Sequence, residues 1–408
     1  MKTLNIASLF ALLLFLGCNL EPLPIESFDK ELKFDEFDKV ELFNAFELRN
    51  TDIVVGGRVK IKSSQKYDAV LIRFDKNGIL KEYSSFDSAN GFNDEISSLA
   101  IDNSENIYLA GRQKDNNGVF KGLIFKIQTS SKFQSVWAKT YEEIKSRVTY
   151  SQILYSNDQL VIIKGLINGQ DAFNDNSGYF KLTTNGENKT CLYTYNEPFY
   201  PYNSQDAVVN GSKIIFVGCA GAMGKAAGGS NIFSFDLNNN CTNPLRKSDF
   251  VKLSDGDFDC MGCVAIGSDG NIIAIINSNI SAPKNFYFKP YFIKLSPANF
   301  SIVNNQTYKK GLPSDTLNAK NITTSIVSTN DGGYIFSSNY SDNSDNPLYS
   351  KLIKGKLDDL TSPIELKKID SWHIAKIISI SGGNFILLSG RAEQSNRVLR
   401  INSIGQTL

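Results

Sequence analysis

A single histidine, His373, occurs in the 408 residues. That scarcity excludes a histidine-based zinc site, because catalytic zinc draws on several imidazoles. It also leaves a serine–histidine–aspartate triad with one candidate base, and no nucleophile-elbow sequence accompanies it. His373 is therefore read as structural. Runs of about five or more like charges are absent, and Lys+Arg 43 against Asp+Glu 42 leaves a net charge of +1. A nucleic-acid surface needs a concentrated basic field, so that class is excluded. No apolar stretch reaches the roughly 20 residues of a membrane-spanning helix. Cys260-Met261-Gly262-Cys263 has no second pair at matching spacing, which excludes a zinc ribbon. Asp255, Asp257 and Asp259 alternate as oxygen ligands do in calcium loops, but the following Gly and terminal Glu of an EF-hand are missing. They read as a solvated acidic turn. The Gly-rich residues 218–229 lack the Ser/Thr after Gly224-Lys225 that a phosphate-binding loop requires. No metal or cofactor is expected.

What the chain has in abundance is one strand pattern, repeated. Asp52-Ile53-Val54-Val55-Gly56-Gly57, Asn106-Ile107-Tyr108-Leu109-Ala110-Gly111 and Asn384-Phe385-Ile386-Leu387-Leu388-Ser389-Gly390 are its clearest copies. The second-strand runs begin at Ile53, Ile107, Leu160, Ile214, Ile272, Tyr334 and Phe385, in steps of 54, 53, 54, 58, 62 and 51. Several strands per copy at this period predict an all-β fold, a single β-propeller of four-stranded antiparallel blades. Seven blades are expected, with six or eight as alternatives. In blade two the four strands are placed at residues 98–101, 107–111, 123–127 and 135–140. Strands packed on both faces should be continuously apolar, as residues 53–55 and 272–276 are. Polar corners at residues 50–52, 268–271 and 330–333 carry turn chemistry between strands one and two. Gly56, Gly111, Gly165, Gly218 and Gly390 are expected to end the second strand. The last copy stops after a third strand near Arg397 to Ile401. Lys30 to Glu36 is therefore expected to supply its outer strand and close the ring.

Residues 1–17 read as a targeting segment, with Lys2 ahead of an apolar run that ends at Leu16. Leu16-Gly17-Cys18 resembles a bacterial lipobox, which implies acylation of Cys18 by chains such as palmitate. Plain secretion and a spanning helix are the alternatives. More than one chain gives stable anchoring, and Asn19 lacks the Asp that holds enteric lipoproteins at the inner membrane. The expected location is the outer membrane. Residues 18–29, with Pro22 and Pro24, form a tether, and residues 30–408 form the propeller.

The runs Asp331-Gly332-Gly333-Tyr334-Ile335 and Asp68-Ala69-Val70-Leu71-Ile72-Arg73-Phe74-Asp75-Lys76-Asn77-Gly78 resemble the repeats of bacterial cell-envelope β-propeller lipoproteins of the Bacteroidota type. The plan is also similar to the propeller lipoprotein of the outer-membrane β-barrel assembly machinery, without its Trp-docking signature. The resemblance implies a rigid envelope scaffold with no reaction.

In a propeller, the loops between blades share a face with the loops between strands two and three. Phe92, Phe199, Tyr200, Tyr202, Phe258 and Trp372 fall in the first kind of loop, Phe173, Phe286 and Tyr287 in the second. Aromatics in polar loops are enriched at binding surfaces, so this face is expected to contact a partner or glycan. Outside the cytoplasm, disulfides are the default for mature cysteines. Cys191 is paired with Cys241, and Cys219 with Cys260 or Cys263. The expected function is a non-enzymatic, outer-membrane-anchored interaction subunit with an envelope protein partner. A glycan-binding accessory lipoprotein is the alternative, with a polysaccharide-degrading enzyme behind it.

Overall fold

The computed structural model describes residues 28–408 except 89–91, 142–147, 167–177, 195–199, 222–227, 239–244, 249–257, 283–284, 308–319, 323, 342–346, 357–363 and 390–395. Seven antiparallel sheets form a seven-bladed β-propeller. Blade one runs Phe37–Glu47, Ile53–Ile61, Tyr67–Phe74 and Leu80–Phe86 from the axis outward. Blade two follows with Asn93–Ile101, Ile107–Lys114, Phe120–Gln128 and Gln134–Tyr141. Second strands begin at Ile53, Ile107, Gln159, Lys213, Ile272, Gly333 and Asn384, within one residue of each position read from the repeat.

Seven hydrophobic clusters fill the seven seams between blades. Val54, Leu71, Leu99, Leu109 and Phe125, for example, join blades one and two. Each sheet is covered on both faces, which is why its middle strands are apolar throughout. Ile272, Ile273, Ala274, Ile275 and Ile276 are all fully buried.

The ring closes as expected, with a shifted boundary. Asp29–Leu32, rather than Lys30 to Glu36, pairs with Asn396–Ile401. Phe28 and Asp29 thus belong to the propeller and not to the tether. Phe28 is fully buried in the seam between blades seven and one. Its carbonyl accepts the Arg400 N–H at 2.9 Å, and its ring stacks on Phe74 at 5.7 Å. Arg397 pairs with Asp29 alongside. Phe34, beyond the closing strand, packs on Tyr83 at 4.5 Å.

Gly56, Gly111, Gly165 and Gly218 lie inside the second strands and do not end them, and Gly390 falls outside the described residues. Gly56 and Gly111 face inner strands that are kinked at that level. Every inner strand carries an irregularity there. The register slips between Leu42 and Asn44, Ile96 and Ser98, Tyr150 and Gln152, Ser204 and Asp206, Met261 and Cys263, and Ile374 and Lys376. In blade six the inner strand is split into Lys320–Ile322 and Ile326–Ser328. A bulge inserts one unpaired residue and bends its strand. The bend brings backbone against backbone: a Cβ at Gly57 would overlap the Glu41 carbonyl, and one at Gly111 the Glu95 carbonyl.

The residue after each bulge stands opposite the fourth residue of its second-strand run. These residues are Asn44, Ser98, Gln152, Asp206, Cys263, Ser325 and Lys376. They make an axial ring, polar in six blades, with the buried Cys263 thiol standing at the position in blade five. Three of them clamp the next blade by accepting an inner-strand N–H: Ile153 to Ser98 Oγ at 3.1 Å, Val264 to Asp206 Oδ2 at 3.2 Å, and Ile377 to Ser325 Oγ at 3.0 Å. Across the ring, Lys376 Nζ of blade seven reaches Asp206 Oδ1 of blade four at 2.7 Å.

Candidate active site at the seam of blades one and two

The face expected to bind, formed by inter-blade loops and the loops between strands two and three, carries a carboxyl cluster. Asp68 is the second residue of its strand in blade one, and Asp94 the second of the inner strand of blade two. The Tyr67 N–H donates to Asn93 Oδ1 at 2.8 Å, which sets the two strands level across the seam. Asp87 is exposed just beyond the outer strand of blade one.

Asp94 is fully buried and held firmly. Its Oδ2 accepts the Ser88 N–H at 2.7 Å, its Oδ1 accepts the Ser88 hydroxyl at 2.6 Å, and Gln113 Nε2 donates to that hydroxyl in turn. Burial raises the Asp94 carboxyl to about 6, against the Ser88 bonds, which favour the ionised form. Asp68 is half-buried. Burial raises its carboxyl to about 7, with the charges of Asp87 and Asp94 adding to the effect.

Each of the two blades also carries a fixed guanidinium, Arg58 on the side of the blade-one/blade-two seam and Arg112 on the far side of blade two, where Phe120 packs between blades two and three. Arg58 Nε donates to Glu41 Oε2 at 2.7 Å, and Arg112 Nε to Glu95 Oε2 at 2.7 Å. The two pairs sit 54 residues apart in sequence and are copies of one repeat position. Arg58 lies over the Tyr67 ring at 4.8 Å and Arg112 over Phe120 at 4.4 Å. A planar cation held between a carboxylate and a ring keeps one orientation. The seam of blades one and two thus combines two carboxyls with one fixed cation, Arg58, and the Tyr67 ring. Asp68 can therefore hold a proton near neutral pH, while the Ser88 bonds favour the ionised form of Asp94.

Of the aromatic face read from sequence, Phe92 lies at this seam, half-buried immediately before Asn93. Trp372 is in the core, 3% exposed among Ile335, Leu352 and Leu399. It presents no ring for stacking, because the blade-six and blade-seven sheets close over it. Tyr200, Tyr202, Phe258, Phe286 and Tyr287 lie on strands, and their side chains fall outside the described residues, as do Phe173 and Phe199 altogether. Cys263 is buried and unpaired, so no disulfide joins it to Cys219. Burial raises its thiol well above the usual range. The side chains of Cys191, Cys219 and Cys260, and Cys18 and Cys241 entirely, lie outside the described residues. His373 is structural in its contacts: Nε2 stands 3.1 Å from the Tyr340 carbonyl and 3.3 Å from Ser341 Oγ. Among the described residues no group of three or more His, Cys, Asp or Glu is placed to hold a metal ion.

Neither Asp68 nor Asp94 was singled out as a site by the sequence reading. The signal that could have found the seam was periodic: Glu41/Arg58 and Glu95/Arg112 repeat at the blade spacing.

No protein-family model and no curated protein matches the sequence. Solved structures match its fold. An α-L-arabinanase of Penicillium chrysogenum, complexed with arabinobiose, is similar at TM-score 0.52 and 13% identity, over 94% of this chain and 98% of that one. The polysaccharide lyase Uly1 is similar at TM-score 0.54 and 12% identity, over 95% and 94%. Extracellular domains 1-2 of Drosophila Semaphorin 1b reach TM-score 0.54 at 9% identity, over 92% and 87%. The chain is a β-propeller. At these identities the likeness shows the fold alone, and the narrower assignment to envelope lipoproteins gains nothing from it. The expectation of a non-enzymatic scaffold subunit is corrected. Propellers similar over nearly the whole chain include an arabinanase and a lyase, so this architecture gives no ground for excluding catalysis.

Proposed function

We propose that this propeller is an enzyme acting on a polysaccharide, with Asp68 as general acid and Asp94 as general base at the seam of blades one and two. The observation that carries the reading is the pair itself. Two carboxyls stand level on neighbouring blades, one raised to about 7 and the other to about 6. Cleavage of a glycosidic bond needs such a division of labour between two carboxyls. The similarity of the fold to an arabinanase and a polysaccharide lyase supports the substrate class. Arg58, stacked on Tyr67 at the same seam, orients the sugar hydroxyls. The reaction takes place at the bacterial outer membrane, where acylated Cys18 tethers the enzyme.

The test is release of reducing ends from a panel of plant, algal and bacterial polysaccharides by the purified chain. Turnover should peak between pH about 6 and about 7, where Asp68 keeps its proton and Asp94 has lost its own. Asp68→Asn and Asp94→Asn should each slow turnover at least about a hundredfold, the usual value of one acid–base group. In cells, Cys18→Ser should move the activity from the membrane fraction to the soluble one. Turnover that survives both aspartate substitutions, or no turnover on any polysaccharide, overturns the assignment.

A further inference from the structure

The axis holds a second site, on the opposite side of the molecule from the carboxyl seam. A cavity of about 530 Å³ runs from the axial ring toward the turns between strands one and two. Its walls are mixed, with Ala207, Ile266 and Ile378 beside Asn44, Asn330 and Ser379. Its inner end is closed by Lys376 and Asp206. Its size matches small-molecule sites, which are concave and combine apolar surface with placed polar groups.

The two charges at the inner end are not equivalent. Asp206 has a side chain 4% exposed, with Oδ1 on Lys376 and Oδ2 on the Val264 N–H. Lys376 is 28% exposed and lines the cavity. An ammonium carries three donors, and Asp206 takes one of them. The cavity therefore ends in a cation whose counter-ion is sealed behind it. A ligand entering from the turn face passes a polar rim of Ser328, Asn330 and Ser379, then the apolar groups of the inner strands, and meets a positive donor last. That order selects an apolar body with an anionic head. A carboxylate can share the ammonium with Asp206, because the lysine geometry leaves donors directed away from that residue.

We propose that the axial cavity binds a monocarboxylate with an apolar chain, its head on Lys376 and its chain along the inner strands. The site is independent of the carboxyl seam, so either assignment can fail without the other.

Decanoate and its neutral counterpart decanol are titrated into the full-length protein by calorimetry. Decanoate should bind saturably and about tenfold or more tightly than decanol, the value of one charge-assisted hydrogen bond. Lys376→Met alone leaves Asp206 buried without its partner and can unfold the chain. The informative variant therefore pairs Lys376→Met with Asp206→Asn, which removes both charges together. It should bind decanoate and decanol alike. Absence of saturable decanoate binding, or equal affinity for the two ligands in the unaltered protein, overturns the proposal, and that comparison holds whether or not a variant folds. A decanoate preference that persists in the double variant overturns the role of Lys376.

Discussion

At the scale of single residues, the seam is a place where the fold tolerates unfavourable chemistry. Asp68 and Asp94 ionise in water near pH 3.9, yet in the propeller they titrate at about 7 and about 6 because burial penalises their charged forms. The folded state therefore holds extra protons between these limits, and stability falls as pH rises through that window. For Asp68 the window runs from pH about 4 to about 7. Asp68→Asn cannot ionise, so its melting temperature should exceed that of the unaltered chain at pH about 8 and lose that advantage at pH about 4. Equal pH profiles for the two proteins would show that the Asp68 carboxyl is not raised. The two turn aspartates behave oppositely. Hydrogen bonding from Lys354 lowers the Asp331 carboxyl to about 2. At Asp269, burial is outweighed by bonds from Lys294 and Asn271, which lower it to about 2 as well. Their contribution is present above the unfolded value and is lost as pH falls toward about 2. The seam pair is thus distinguished by its environment and not by its residue type.

At the scale of the strand, the repeated device is the bulge. It places one side chain per blade at the axis, polar in six blades, and lets the second strand press its backbone close to the inner strand. Gly111→Ala should lower unfolding free energy by about 3 kcal/mol, the upper end for overpacking, because the neighbour is a carbonyl that cannot rotate away. A loss below about 1 kcal/mol in urea denaturation would mean that the inner strand moves freely there. The strands themselves were legible in sequence. Apolar runs between polar turns located every second strand, since those residues are buried on both faces whatever follows. The bulge was not legible, because the residues behind it share a place and no chemistry: asparagine, serine, glutamine, aspartate, cysteine, serine and lysine. Gly56 and Gly111 were read as strand ends because nothing local reveals that the Leu99 side chain approaches the first and the Glu95 carbonyl the second. Trp372 looked like a surface ring because Ser371 and His373 flank it, while the residues that cover it come from three other strands, in blades six and seven. The carboxyl pair depended on register between blades, which no single stretch of sequence encodes.

At the scale of the whole molecule, closure rests on the N-terminal strand and on one aromatic anchor. Phe28 fits over Gly78, the glycine at the end of the Asp75-Lys76-Asn77-Gly78 turn, where a Cβ would strike its ring. Phe28→Ala should lower stability by about 3 to 5 kcal/mol, as for other buried Phe truncations. It should also raise hydrogen exchange in Asp29–Leu32 and Asn396–Ile401 above that in the central strands of blades two to five. Exchange that stays uniform would show that ring closure does not depend on this side chain.

That closing strand pairs Arg397 with Asp29, residues 368 apart, while the axial ion pair joins residues 170 apart. Contacts of such separation form late, because the loop entropy is lost before they repay it. A ribosome or export channel that has released only the first six blades holds a chain that lacks its lock at the rim and its cross-brace at the hub. Such a chain remains open along one sheet edge until blade seven emerges, so maturation waits on that blade, and any partner that guards the nascent chain must cover that edge.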